Sequence, residues 1–204
     1  MEFKMRNISI VAKVVGVALV MAASSQVMAE SKPAAASVTV KNTFELVVAK
    51  PLAFGTVRIS ADPAGTKLAT VVVPADVSIA PSATTAAPAA AQILTPGEPG
   101  EVTVAGVAAF SNLKIVFPSA AVDLVPAKAA PGSPAFTMNT FEAFITSGTN
   151  ASKKYAAGTV ELTADSEGAA GFNFGATLST SAVATTQAYQ DVEYSGSFPI
   201  EVTY

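Results

Sequence analysis

The side chains with chemical potential in this 204-residue sequence are carboxylates. Asp165 and Glu167 lie in a turn-like segment, with Asp191 and Glu193 further along the chain. Clustered carboxylate oxygens are the ligands that calcium favours, but the EF-hand spacing is absent here. Acidic residues in turns are also commonly just solvated, so we predict no metal site and keep a calcium-stabilised protein as an alternative.

A second group of acids suggests the paired carboxylates of a glycosidase. Glu142, Glu161 and Glu201 lie in strand-like stretches, and the last two alternate with apolar residues, which predicts that they face solvent. The sequence contains no tryptophan to form a sugar platform, no histidine and no cysteine. Nucleophiles activated by histidine are therefore excluded, as are thiolate and imidazole metal ligands. We predict that the protein is not an enzyme and uses no cofactor.

The first 29 residues have the layout of a secretory signal peptide. Three basic residues precede an apolar run at residues 14–23, and a short segment of small residues follows at 24–29. An uncleaved anchor is the alternative, but ten apolar residues are too few to span a bilayer comfortably. We therefore predict cleavage near Ala29 and a secreted protein that is not bound to the membrane afterwards.

The remaining chain is predicted to contain an N-terminal extension or first strand at residues 30–50 and one β-domain at 51–204. The formal net charge of the whole chain is −3, and basic residues do not cluster into a stripe. Nucleic acid is therefore a poor partner. Without cysteine, no disulfide can hold an exported fold, so packing and backbone hydrogen bonds must stabilise it.

Short alternating segments separated by turn residues indicate an all-β protein, an antiparallel sandwich or barrel. The first strand, at residues 36–49, has a row of apolar side chains on one face that only Asn42 interrupts. The final strand has a second such row. The two rows are Val38, Val40, Phe44, Leu46 and Val48, and Phe198, Ile200, Val202 and Tyr204.

The other segments are interpreted from their residue types and patterns. Residues 80–91 are rich in alanine and proline and are predicted to form a surface loop. Residues 136–145 fit either a strand or one turn of helix, and we favour the strand because their residue types suit sheets. Residues 159–163 and 172–178 are predicted to form a hairpin around the acidic turn at 165–168. A strand at 68–73 is expected to continue at 77–79. The proline and glycine at residues 62–65 predict a turn, and a short strand is expected at 122–125.

A strand at each end of the domain permits two arrangements. In the first, a closed sandwich keeps both strands within one chain. In the second, the N-terminal strand of one subunit completes the sheet of the next, which is β-strand complementation. An incomplete sandwich would leave unpaired edge groups that another chain must cover.

Four stretches resemble a family of secreted bacterial β-domains known only as a domain of unknown function. They are LAFGTV at 52–57, PGEPG at 96–100, FNFGATL at 172–178 and YSGSFPIEVTY at 194–204. The family looks like the pilins of chaperone–usher systems. The resemblance implies an immunoglobulin-like or pilin-like sandwich, with a periplasmic chaperone and an outer-membrane usher as partners.

The sequence thus predicts a structural subunit of an extracellular filament, pilus or surface fibre that assembles with copies of itself or related subunits. The chain would pass through the periplasm to the cell surface. The two apolar rows would form the contact between subunits. A monomeric secreted or surface-exposed binding and adhesion module remains the alternative.

Overall fold

The computed structural model describes residues 44–128, 132–183 and 187–204, in which the secondary structure is β-strand with no α-helix. The predicted signal peptide, Val38 and Val40 lie outside the described residues. All strand pairs are antiparallel, so the prediction of an all-β antiparallel fold is confirmed. The strands are β1 (Glu45–Lys50), β2 (Thr56–Ser60), β3 (Thr70–Val73), β4 (Ser82–Thr84), β5 (Ala90–Thr95), β6 (Gly100–Ala105), β7 (Asn112–Val116), β8 (Val122–Pro126), β9 (Phe136–Ser147), β10 (Lys153–Lys154), β11 (Leu162–Thr163), β12 (Ala169–Ser179), β13 (Tyr194–Ser195) and β14 (Glu201–Thr203).

The strands form one large sheet and two small ones. The large sheet has nine strands and runs β1-β6-β12-β9-β8-β13, with β10 paired to β9 and β3 paired to both β12 and β4. The small sheets are β11-β7-β14 and β2-β5. The long strand β12 is central, because β9 pairs along one of its edges while β6 and β3 share the other.

Two apolar clusters lie on the same face of β12. Phe172 and Phe174 pack in the cluster shared with the β11-β7-β14 sheet. Ala176 and Leu178 pack in the cluster shared with the β2-β5 sheet. Because these four residues alternate along one strand, their side chains point to the same side of the large sheet. Each small sheet therefore covers one half of that face.

Several predicted elements are confirmed. Residues 136–145 lie within β9, so the strand interpretation was correct. The short strand expected near residue 122 is β8. The turn after β2 forms as expected, since the amide of Gly65 donates to the carbonyl of Asp62 at 2.9 Å.

Other predictions were wrong. Residues 80–91 contain β4 and the start of β5, and Ala89 is fully buried, so the segment is not simply a surface loop. Small alanine side chains give no alternating signal but let neighbouring strands approach closely. Residues 77–79 form a turn, in which the amide of Ile79 donates to the carbonyl of Asp76 at 3.0 Å, and do not extend β3.

The predicted hairpin across the acidic turn was also wrong. The turn itself forms, because the amide of Asp165 donates to the carbonyl of Ala169 at 2.9 Å. However, β11 pairs with β7 in a small sheet, whereas β12 lies at the centre of the large sheet. The turn therefore connects two different sheets. Alternation along a segment predicts a strand but does not specify which other strand it pairs with.

Candidate functional site

The first described strand lies at an edge of the large sheet. Strand β1 pairs with β6 of the same chain, with Leu46 opposite Val104 and Val47 opposite Thr103. Among the described residues its second edge has no strand partner. Phe44, just before β1, and Leu46 are half-buried against the core shared with the β11-β7-β14 sheet, whereas Val48 is exposed.

The last strand is an edge of the small sheet. Strand β14 pairs with β7, with Val202 buried opposite Ile115, and no other described strand pairs with it. Phe198 and Ile200 precede β14 in irregular structure and are half-buried, so regular strand is shorter here than the predicted 198–204. Tyr204 is 61% exposed. Its hydroxyl accepts a hydrogen bond from the amide of Ala108 at 3.4 Å.

The residue before β1 contacts the residue after β14. The ring of Phe44 lies edge-on to the ring of Tyr204, with centroids 6.0 Å apart. Two of the four stretches with the family resemblance also meet. The amide of Ala53 donates to the carbonyl of Glu98 at 3.0 Å, and the amide of Glu98 donates back to Ala53 at 2.8 Å. The structure thus brings together residues far apart in sequence at both places.

The acids suggested for catalysis or calcium have local structural contacts or face outward. Glu142 forms an ion pair with Lys154 and accepts from the amide of Ala75 at 3.1 Å. One oxygen of Asp165 accepts from the amides of Glu167 and Ala169, at 2.9 and 3.0 Å. These bonds, that from Ala169 most strongly, lower the pKa of Asp165. No group of three or more acids that could hold a metal occurs among the described residues.

A cleft of about 250 Å³ lies on the outer face of the large sheet, which the sequence did not predict. Lys50 pairs with Glu101 across β1 and β6, and Glu101 pairs with Asn173 across β6 and β12. Directly opposed residues of neighbouring strands project to the same face, so these three form a polar row. The signal in the sequence was the single amide within the apolar stretch FNF at residues 172–174.

Comparisons with protein-family models, curated proteins and solved structures found no match to this chain. The family resemblance therefore stays a prediction drawn from the residues. In the described part of the chain, no helix has the length and apolar character needed to cross a membrane.

Proposed function

We propose that the protein is a non-catalytic structural subunit of an extracellular filament, pilus or surface fibre, assembled by β-strand complementation. The observation that carries the proposal is the position of β1 and β14. Both are edge strands with one unpaired edge among the described residues, and their ends meet at Phe44 and Tyr204. Such edges are templates for pairing with another chain.

Exchange of β1 between subunits requires no new surface. In one chain, β1 covers the edge of β6 and places Phe44 and Leu46 against the core. The same strand from a neighbouring copy can make the same hydrogen bonds and apolar contacts, as in domain swapping. Residues 38–43, which carry Val38 and Val40, would lengthen the exchanged strand. The receiving edge would be β6. The second apolar row, Phe198, Ile200, Val202 and Tyr204, would supply apolar contacts beside it, because it packs with the same core cluster and with Phe44.

The proposal includes an immunoglobulin-like, pilin-like sandwich and the route implied by the signal peptide at residues 1–29. The two small sheets packed on one face of the large sheet support a sandwich. Secretion would carry the subunit through the periplasm, where a chaperone would protect its open edges. An outer-membrane usher would then deliver the subunit to the cell surface.

Engineered cysteines provide the test, because the chain has none of its own. Val47 and Thr103 are exposed, directly opposed residues of β1 and β6. Their spacing suits a disulfide. When single variants V47C and T103C are co-expressed with secretion intact, exchange predicts disulfide-linked dimers between them. The matched control is D123C with T137C, an opposed pair on β8 and β9 within the domain.

Dimers in the V47C and T103C mixture, at a level well above the control mixture, would support exchange. Monomers alone, together with efficient closure of the disulfide within one chain of the double variant V47C/T103C, would contradict it. That outcome would favour the second candidate function, a monomeric secreted binding or adhesion module. Its specific support is that β1 pairs with β6 of its own chain.

A further inference from the structure

The cleft on the outer face of the large sheet has a polar floor and an apolar rim. Its floor is the row of Lys50, Glu101 and Asn173 on three adjacent strands. The connection between β3 and β4 forms one wall, where Val77 and Ile79 are 71% and 57% exposed. Pro74 and Pro81 belong to the same connection. The turn between β5 and β6 forms the other wall, with Gly97, Glu98 and Pro99.

The charges in the cleft do not cancel. Lys50 is already in an ion pair with Glu98. Glu101 makes no ion pair and no side-chain hydrogen bond with any described residue, which leaves one unpaired negative charge. The unmatched group is therefore a carboxylate, which favours a cationic ligand over an anionic one.

Asn173 is the second unmatched group. It is only 8% exposed, and its side-chain amide forms no hydrogen bond within the described residues. Its polar atoms are still reached from the cleft, because among the described residues only the Oγ of Ser111 is both fully buried and without a hydrogen-bond partner. Because Asn173 lines the cleft, a ligand there can supply the missing partner. The amide oxygen of Asn173 and the carboxylate of Glu101 both accept hydrogen bonds.

We propose that this cleft binds an organic cation, an ammonium or guanidinium group on an aliphatic stem. The head group donates to Glu101 and to the amide oxygen of Asn173, and the stem packs on Val77 and Ile79. Cations of this kind have an apolar stem and a charged end, which matches the two sides of the cleft. The volume is below the range usual for drug-sized ligands, so it suits a single such group.

The same chemistry has two sources, a free small amine and a lysine or arginine side chain of a peptide. We suggest titrating the secreted full-length protein with n-butylguanidinium and with the peptide acetyl-Ala-Arg-Ala-amide, following backbone and asparagine amide signals by NMR. The neutral isostere n-butylurea is the ligand control. The protein variants are E101Q, which is exposed and retains the shape of the side chain, and E201Q, an exposed glutamate of β14, as the matched control.

We expect saturable binding of a cationic probe, with shifts at Asn173 and in residues 77–79. E101Q should weaken this binding by about tenfold, the effect of one charge-assisted hydrogen bond, and E201Q should not. Binding of n-butylguanidinium alone would show that a free amine suffices, and binding only of the peptide would assign the site to a peptide side chain. Absence of saturable binding by both probes, equal binding of n-butylurea, or equal weakening by E101Q and E201Q would overturn the proposal. The test is independent of strand exchange.

Discussion

Phe44 and Tyr204, which lie at opposite ends of the described chain, pack against each other with an interplanar angle of 81° and a centroid distance of 6.0 Å. This edge-to-face geometry is one that aromatic rings prefer. The hydroxyl of Tyr204 accepts from the amide of Ala108, in the turn between β6 and β7. The contact therefore ties the start of β1 and the end of β14 to the same end of the domain.

Truncation of Phe44 tests the energetic value of this contact. We expect F44A to lower the free energy of unfolding by about 1–2 kcal/mol, because it removes a half-buried ring and an aromatic pair. Y204F retains the ring and should cost only about 0.5–1 kcal/mol. Urea unfolding measures both. L94A, which truncates an exposed side chain of β5, is the control and should change stability by less than about 0.5 kcal/mol. Equal effects of F44A and L94A would contradict the expectation.

Gly55 lies where the backbone packs closely against Thr95, and we expect any side chain there to destabilise the fold. Gly55 has φ of 75°, and a Cβ atom there would overlap the carbonyl oxygen of Thr95. Gly158 has a similar φ of 79°, but a Cβ atom there would meet nothing within 4 Å. We expect G158A to cost about 1–2 kcal/mol from backbone strain alone. G55A should cost clearly more because the clash adds to the same strain.

Urea denaturation of G55A and G158A separates the two contributions, since the backbone conformation is matched. Equal destabilisation of the two variants would show that the crossing near Thr95 is not tightly packed in solution.

Acid should destabilise the protein partly through Asp62. Its carboxylate accepts from the amides of Ala64, Thr66 and Lys67 at 2.9 to 3.0 Å, and from the hydroxyl of Thr66 at 2.8 Å. The bond from Ala64, followed by that from the Thr66 hydroxyl, lowers the pKa of Asp62 in the folded state. A lowered folded pKa stabilises the protein above the unfolded value of about 3.9, and this stabilisation is lost as pH falls through the folded pKa.

We therefore expect the free energy of unfolding to decrease less steeply from about pH 5 to about pH 2 in D62N than in the wild type. D62N should also be less stable near neutral pH, because an amide oxygen is a weaker acceptor than a carboxylate. D191N, at an exposed position, is the matched control and should retain the wild-type slope. An unchanged slope in D62N would show that the turn does not use the ionised form.

Alkali should destabilise the protein through Tyr189. The hydroxyl donates to the carbonyl of Ala135 at 3.1 Å and accepts from the amide of Ser181 at 2.8 Å, and the ring stacks on Phe136 at 4.3 Å. Burial raises the pKa of Tyr189 to about 12. Because the folded pKa lies above the unfolded value of about 10, this contribution to stability is complete below that pH and is lost as pH rises towards 12.

A titration of phenolate absorbance should show one of the four tyrosines ionising near pH 12. Y189F should remove that late step and the associated loss of stability, although it leaves the amide of Ser181 without its acceptor. Y155F removes the hydroxyl of a different, half-buried tyrosine, which accepts from the amide of Ile115 at 3.0 Å, and should retain the step. Retention of the late step in Y189F would assign it to another residue.

Three of the four stretches that resemble the family have structural roles that their order in the sequence does not reveal. LAFGTV and PGEPG pair through Ala53 and Glu98, where a Cβ atom at Gly97 would overlap the backbone of residue 53. FNFGATL lies within β12 and supplies both Phe174 for the core and Asn173 for the cleft. The glycines of these stretches thus lie where two backbone segments approach each other closely.

The sequence by itself determined part of the local structure. Alternation with a period of two indicated the all-β class and the apolar side of the last strand, where Val202 is buried. The residue types of 136–145 favoured the strand that is β9. The Asp–Pro–Ala–Gly segment likewise specified its turn, because its carboxylate, proline and glycine act within a few residues of one another.

Only the tertiary structure decided which strands are partners. The apolar side chains of β11 could be buried by pairing in the large sheet or in the small one. Its pairing with β7 depends on how the whole core packs. The strands within residues 80–91 form from alanine-rich segments with no amphipathic signal, so burial against neighbours is what orders them. The row of Lys50, Glu101 and Asn173 likewise exists only because three strands distant in sequence align in register. The sequence of one strand does not specify which residue of a neighbouring strand will lie opposite a given position.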